Sequence, residues 1–121
     1  MRKVLVLDDN ADILEVVTEV LRYEQFEVRA ISSAPELLPL AEFFRPDLVL
    51  LDLRLADGHG GDLCRQIKSH PTLNQPPVVI FTAYPFGGSL GVYGCDAVIH
   101  KPFDLEYLVN TVTELTNGHV E

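Results

Sequence analysis

Acidic side chains follow two strongly apolar stretches of this sequence. Asp8 and Asp9 come directly after the run Lys3 to Leu7, and Asp52 ends the run that begins at Leu48. Each run is too short for a helix and is unbroken by polar residues, which indicates a strand buried on both faces of a sheet. Because open α/β sheets bind ligands beyond the carboxyl ends of their strands, Asp52 is a candidate for chemistry.

Two further predicted strands also end in a polar side chain. Thr82 follows the apolar run that starts at Val78, and Lys101 follows the short run Ala97 to His100. The carboxyl ends of parallel strands share one edge of a doubly wound sheet. We therefore expect Thr82 and Lys101 to lie near the three carboxylates.

These residue types in one place suit phosphoryl chemistry. Three neighbouring carboxylates repel one another unless a cation lies among them. Magnesium prefers oxygen ligands and is usually held by one or two carboxylates together with phosphate. The Lys101 ammonium and the Thr82 hydroxyl can then neutralise or bind phosphoryl oxygens, while Asp52 is the nucleophile that forms an aspartyl phosphate.

Helical patterns lie between the predicted strands. Asn10 is expected to cap the first helix, and Ser33 with Glu36 has the spacing of a capping box for the second. Pro39 lies within this second helix, which should therefore be kinked or start late. Asp104 is expected to cap the last helix.

The alternation of strand and helix patterns predicts an α/β fold, with a parallel sheet and helices on both faces. The segment Phe26 to Ile31 alternates apolar and polar residues, which suits an edge strand. A short third helix is predicted over residues 61–69. Residues 84–94 contain Pro85 and four glycines, each of which costs a helix about 1 kcal/mol, so the fourth helix should be short or irregular.

Composition limits the classes of protein to which the chain can belong. Its 121 residues, 47% hydrophobic and 22% charged, fit one globular domain, which we place at residues 1–121. Neither a signal peptide nor an apolar run of membrane-spanning length is visible, so a cytoplasmic protein without a membrane partner is expected. The net charge of -9 repels nucleic acid and makes direct DNA binding unexpected. Cys64 and Cys95 have no metal-site spacing and are expected to be reduced thiols.

The motifs LDDN, LLDLRLADGHG, FTA and KPF, in this order, resemble those of the receiver domain of two-component response regulators. The resemblance extends over about residues 2–116. It implies a flavodoxin-like sheet of five parallel strands in the order 2-1-3-4-5. It also implies a cis peptide bond between Lys101 and Pro102.

The resemblance assigns roles residue by residue. It implies that Asp52 accepts a phosphoryl group from the phosphohistidine of a histidine kinase or a histidine phosphotransfer protein. Asp8 and Asp9 would bind Mg²⁺ together with Asp52 and the backbone carbonyl of Arg54. Thr82 and Lys101 would contact the phosphoryl group. The domain would thus catalyse its own phosphorylation and dephosphorylation, with no separate enzymatic activity expected.

The sequence departs from the family pattern at the position where the phosphorylated state is usually sensed. Receivers commonly have an aromatic residue three positions before the lysine, where this chain has Val98. One hypothesis is that an aromatic residue within residues 84–94 replaces that ring. Another is that the domain passes phosphate to a histidine phosphotransfer partner without a conformational readout. Arg54 and Tyr84 would flank the path of attacking water, which suggests slow loss of phosphate.

Other interpretations remain open at this point. The chain could be a phosphorylation-independent interaction scaffold with a receiver fold, although three retained, mutually repelling carboxylates disfavour this. A phosphatase-like or topoisomerase-like metal enzyme would want a second acid where Arg54 lies. Asp57 and Asp62 are interpreted as loop and helix-start acids. The histidines share no ligand spacing and are interpreted as ordinary surface residues, with His100 also able to face a partner; they are His59, His70, His100 and His119.

Overall fold

The computed structural model describes residues 1–83 and 94–117, in which five parallel strands form one sheet. The strands are β1 (Lys3–Leu7), β2 (Glu27–Ile31), β3 (Leu48–Asp52), β6 (Val78–Thr82) and β7 (Ala97–His100), and a separate antiparallel hairpin consists of β4 (Arg54–Leu55) and β5 (Gly58–His59). The order in the sheet is β2-β1-β3-β6-β7. Without the hairpin this is the predicted order 2-1-3-4-5, so the flavodoxin-like topology is confirmed. The predicted edge position of the second strand is confirmed as well.

Four α-helices cover the sheet within the described residues. They are α1 (Ala11–Tyr23), α2 (Leu37–Phe44), α3 (Gly60–Ser69) and α4 (Leu105–Asn117), and a 3₁₀ turn (Ala34–Glu36) precedes α2. The expected irregular helix over residues 84–94 falls almost wholly outside the described residues. None of the described helices is long and apolar enough to span a membrane.

Two hydrophobic clusters, one on each face, hold the helices against the sheet. On one face the buried side chains of α2 and α3 pack on alternate residues of β1 and β3, among them Leu5, Leu7, Val49, Leu51, Ala41 and Ile67. On the other face α1 and α4 pack on the intervening residues, among them Val4, Val6, Leu50, Val17 and Val112. Since successive side chains of a strand point to opposite faces, burying both faces requires the unbroken apolar runs seen in the sequence.

The predicted caps of the first and last helices are confirmed. The Asn10 side chain accepts hydrogen bonds from the backbone N–H groups of Asp12 (2.9 Å) and Ile13 (3.2 Å). The Asp104 carboxylate accepts one from the N–H of Glu106 at 2.8 Å. Both caps fix the point at which a helix leaves the edge of the sheet where the polar residues lie.

The predicted capping box of Ser33 and Glu36 is wrong. Glu36 donates its N–H to the carbonyl of Ser33 at 3.2 Å, which closes the 3₁₀ turn, and Pro35 has no N–H to be capped. The Ser33 hydroxyl instead donates to Asp57 at 3.2 Å. The helix α2 therefore starts late, as predicted, with Pro39 in its first turn, where a backbone N–H has no intrahelical partner.

Two histidines have structural partners that the sequence interpretation missed. The Nδ1 atom of His59 accepts a hydrogen bond from the N–H of Gly61 at 3.2 Å and caps α3. His70 Nε2 lies 2.9 Å from a carboxylate oxygen of Glu42. His100 is exposed, as expected, and His119 lies outside the described residues.

Cys64 and Cys95 are both buried, and they do not form a disulfide. Burial, and then the neighbouring Cys95, raise the pKa of the Cys64 thiol to about 11. The thiol therefore stays protonated and unreactive at neutral pH. Cys64 and Cys95 both belong to the hydrophobic cluster on the α2 and α3 face, where they pack as small apolar side chains.

Candidate functional site

Asp52 lies at the carboxyl end of β3, and the residue is 7% exposed. The first residue of α3, Gly60, passes close behind it and donates its N–H to the carbonyl of Leu53 at 2.7 Å. A Cβ atom on Gly60 would lie 2.3 Å from the backbone oxygen of Asp52. Only glycine allows this approach, so Gly60 is a site residue for which the sequence analysis had no specific role.

Asp8 follows β1 and is fully buried. Its Oδ1 atom accepts a hydrogen bond from the N–H of Asn10 at 2.9 Å, and its Oδ2 atom accepts one from Lys101 Nζ at 2.7 Å. A buried carboxylate is tolerated when it is paired and hydrogen-bonded in this way. The start of α1, capped by Asn10, thus fixes the direction of the Asp8 side chain.

Asp9 is exposed and faces the loop that follows β3. Its carboxylate accepts a hydrogen bond from the N–H of Ala56 at 3.0 Å. One carboxylate oxygen from each of Asp8, Asp9 and Asp52 lies within 4.8 Å of the others. A small set of oxygen ligands from carboxylates fits the preference of Mg²⁺, so these residues fit a magnesium site.

Lys101 lies between two of these carboxylates. Its Nζ atom is 2.7 Å from Asp8 Oδ2 and 3.5 Å from Asp52 Oδ2, and its side chain is 15% exposed. Its backbone N–H donates to the carbonyl of Thr82 at 2.8 Å, and its peptide bond to Pro102 is cis, as predicted. The ammonium therefore neutralises part of the carboxylate charge at this edge of the sheet.

The electrostatic balance at Asp52 leaves its pKa above the usual value. Burial of the carboxyl raises the pKa most, and the negative charge of Asp8 raises it further. The Lys101 ammonium and a backbone hydrogen bond from Arg54 lower it, but by less. Asp52 thus lies in a place where an additional positive charge would stabilise its ionised form.

Thr82 is the last residue of β6 and is fully buried. In the register between β3 and β6, Asp52 lies opposite Phe81, so Thr82 lies one residue further towards the same edge. Thr82 also lies opposite His100, the residue before Lys101. The sheet therefore brings Thr82 to the edge that carries Asp52 and Lys101.

The loop after β3 is held by a short hairpin and by hydrogen bonds to Asp57 between the two hairpin strands. Arg54 pairs with His59 in the β4–β5 hairpin, which the sequence analysis did not predict. Asp57 accepts hydrogen bonds from the Ser33 hydroxyl at 3.2 Å and from the N–H of Ala34 at 3.1 Å. Asp57 was interpreted as a loop acid, but it connects this loop to the 3₁₀ turn. No pattern within the loop could have predicted a contact between distant segments.

The sheet order, with polar side chains gathered at the carboxyl ends of the strands, is that of a flavodoxin-like domain. The sequence profile of the family described as the response regulator receiver domain matches residues 4–113. The chain therefore belongs to the response regulator receiver domain family.

Two curated relatives illustrate the range of proteins that contain this domain. The DNA-binding response regulator MtrA of Mycobacterium tuberculosis is 38% identical over 114 residues, which are 92% of this chain and 49% of MtrA. The chain thus spans about half the length of this relative. The polar-differentiation response regulator DivK of Brucella anthropi is 26% identical over 92% of this chain and 93% of its own length.

The likeness extends to solved structures. A two-component response regulator from Clostridium difficile superposes with a TM-score of 0.90 at 22% identity, and the match covers 100% of both chains. At this identity the likeness concerns the fold alone. It confirms the predicted receiver fold.

Proposed function

We propose that this domain accepts a phosphoryl group on Asp52 from the phosphohistidine of a histidine kinase or a histidine phosphotransfer protein. The observation that carries the proposal is the meeting of Asp8, Asp9 and Asp52, within 4.8 Å of one another, with the Lys101 ammonium. A surface that only binds a partner gains nothing from gathering three carboxylates at one edge of the sheet, since their repulsion costs stability.

In the proposed reaction an Asp52 carboxylate oxygen forms a bond to phosphorus while the phosphorus–nitrogen bond of the phosphohistidine breaks. The imidazole leaves and takes up a proton. Lys101 lies 3.5 Å from Asp52 and is positioned to neutralise a phosphoryl oxygen. The Thr82 hydroxyl, at the end of the neighbouring strand, would donate to another oxygen.

The carboxylates of Asp8, Asp9 and Asp52, with the backbone carbonyl of Arg54, would hold Mg²⁺. When bound, this ion supplies positive charge that offsets the charge on the phosphoryl oxygens. Asp9 would then exchange its hydrogen bond from Ala56 for the metal. Asp8, fixed by Asn10 and Lys101, would orient the remaining groups.

The same groups would catalyse the loss of phosphate by hydrolysis. Arg54 is exposed, two residues after Asp52, and would hinder the attacking water, which favours a slow loss of phosphate. Tyr84, which was also expected to flank the path of water, lies outside the described residues. Val98 packs on the α2 and α3 face of the sheet. Because valine has no aromatic ring, this position cannot supply a ring that rotates when the domain is phosphorylated.

We further propose that residues 1–121 act as one receiver domain in the cytoplasm. The domain would change its interactions with an output domain or protein when Asp52 is phosphorylated. MtrA is named as DNA-binding, but the chain matches 49% of it, and the net charge of -9 does not favour DNA binding by the receiver itself.

Labelling with acetyl phosphate tests the proposal. The wild-type chain should incorporate one phosphoryl group when Mg²⁺ is present, and none when the metal is chelated. Asp52→Asn should abolish incorporation, whereas Asp62→Asn, at an exposed acid in the first turn of α3, should leave it unchanged. A folded wild-type protein that takes no label under these conditions, or from a phosphorylated histidine phosphotransfer protein, would be a scaffold.

A further inference from the structure

We infer that Phe81 is a positioning residue for the proposed phosphoryl transfer, because its ring provides the surface against which the Lys101 ammonium rests. This inference rests on the proposed function of Asp52. It concerns a side chain that has no polar atom and that belongs, in the sequence, to the apolar run before Thr82.

The geometry places the ring directly under the ammonium. Lys101 Nζ lies 4.6 Å from the centroid of the Phe81 ring. Phe81 is fully buried, and the Lys101 side chain is 15% exposed, so water screens this contact little. The negative face of an aromatic ring attracts a cation at this distance, most strongly where both are desolvated.

Phe81 also belongs to the strand that lies beside the phosphoacceptor. It is the residue of β6 that lies opposite Asp52 in the sheet register. The ring is held in turn by Phe103, whose centroid lies 5.6 Å away at an interplanar angle of 66°. This edge-to-face contact fixes the orientation of the Phe81 ring. Phe103 is the second residue after Lys101 in the chain.

A lysine needs such a surface more than most side chains do. Its four-carbon chain is flexible, and its ammonium is a point charge that can adopt many positions near two carboxylates. The ring closes one side of the space around Nζ, and Asp8 and Asp52 hold it on another side. The ammonium is thereby kept where a phosphoryl oxygen on Asp52 would lie, and such positioning of a charged group contributes to the rate.

Phe81→Leu tests this inference, with Phe26→Leu as the matched control. Phe26 is 1% exposed and belongs to the same hydrophobic cluster, and its ring lies 4.9 Å from the guanidinium of Arg2. Phe26 and Arg2 directly precede β2 and β1, so this contact lies at the amino ends of the strands, away from the site. Both changes remove an equal part of a buried ring. With acetyl phosphate and saturating Mg²⁺, Phe81→Leu should reduce the rate of label incorporation roughly tenfold relative to Phe26→Leu.

Two readouts separate positioning from a general loss of structure. The proton resonances of the Lys101 ε-methylene group should be shifted upfield by the ring in the wild type and in Phe26→Leu, and should lose that shift in Phe81→Leu. In a Lys101→Met background, Phe81→Leu should cause no further loss of rate. Equal rates in Phe81→Leu and Phe26→Leu, or equal effects of Phe81→Leu with and without the lysine, would overturn the inference.

Fluorinated phenylalanines at position 81 keep the shape of the side chain if Phe81→Leu does not fold. Increasing fluorination weakens the negative face of the ring, so the rate should fall stepwise from none to three fluorine atoms. A rate independent of fluorination would overturn the inference. Failure of the wild type itself to incorporate label would instead refute the proposed function, while the upfield shift would still report whether the ring contacts Lys101.

Discussion

The Nζ atom of Lys101 lies 2.7 Å from Oδ2 of Asp8, although 93 positions separate the two residues in the chain. This ion pair connects the ends of β1 and β7, strands on opposite sides of β3 and β6 in the sheet. Because Asp8 is fully buried, the pair cannot exchange its partners for water without cost. We therefore expect the Lys101 ammonium, which is proposed to bind a phosphoryl oxygen, also to stabilise the unphosphorylated domain.

Lys101→Met should therefore destabilise the metal-free protein. The substitution leaves the buried Asp8 carboxylate without its cationic partner, and breaking a buried pair in this way costs about 3 kcal/mol. Added Mg²⁺ should restore part of this loss, because a dication would again balance the carboxylates. Urea denaturation with and without Mg²⁺ measures both effects.

The matched control for this prediction is Lys68→Met. Lys68 lies 2.7 Å from Asp96, and both side chains are partly exposed. Such a pair contributes about 1 kcal/mol or less, and its loss should not respond to Mg²⁺. If the Lys101 variant were no less stable than the Lys68 variant, the ion pair at the site would not have the role given to it here.

Gly60→Ala should impair phosphorylation strongly, although the substitution adds only one methyl group. The added methyl group would lie 2.3 Å from the Asp52 carbonyl oxygen and 3.0 Å from the Leu53 Cα atom, so the backbone at the phosphoacceptor must move. We expect a loss of about 1–3 kcal/mol in stability and a large fall in the rate of acetyl phosphate labelling. Backbone amide shifts of Asp52 and Leu53 would report the displacement, and unchanged shifts with a wild-type rate would contradict this view of Gly60.

Asp57→Ala should destabilise the domain by about 1 kcal/mol, because the Ser33 hydroxyl and the Ala34 N–H both lose their acceptor. Asp62→Ala is the control, since Asp62 makes an exposed ion pair with Arg65 at 3.3 Å. Its removal should change stability by a few tenths of a kcal/mol at most. Equal urea midpoints for the two variants would show that Asp57 does not stabilise the turn.

Asp52→Asn should stabilise the metal-free protein at neutral pH. Burial, and then the charge of Asp8, raise the pKa of Asp52 above its usual value. The folded state therefore binds a proton at Asp52 more tightly than the unfolded state does, and ionisation of Asp52 reduces stability as the pH rises through its raised pKa. The difference in unfolding free energy between Asp52→Asn and the wild type should be greatest at neutral pH and should decrease as the pH falls. A difference that stays constant from neutral to acidic pH would contradict a raised pKa at Asp52.

Much of the fold could be predicted from the sequence because its signals are local. The unbroken apolar runs ending at Leu7 and Asp52 predicted buried parallel strands, and Asn10 and Asp104 predicted two helix starts. The meeting of strand ends followed from the topology of a parallel sheet. Lys101 contacts both Asp8 and Asp52, as that topology leads one to expect. One carboxylate oxygen of Asp9 lies within 4.8 Å of the other two carboxylates.

The missed features depend on contacts between segments that are distant in sequence. The Ser33 hydroxyl, which a capping box would use within the helix, instead donates a hydrogen bond to Asp57. A rule based on neighbouring residues does not include Asp57, which lies 24 positions away. The closeness of Gly60 to Asp52 and the position of the Phe81 ring under Lys101 likewise arise only when loops and strands are packed. Such features depend on three-dimensional distances, whereas periodicity reports only which residues share a face.

Binding of beryllofluoride, a mimic of the phosphoryl group, tests the central claim most directly, because it requires the dication, the Lys101 ammonium and the Asp52 carboxylate together. In fluorine NMR spectra, the wild-type protein with Mg²⁺ should show a protein-bound fluoride signal that saturates at one beryllofluoride per chain. The signal should vanish on chelation of the metal and in Asp52→Asn. A bound signal that persists without Asp52, or none in the folded wild type with Mg²⁺, would contradict the account.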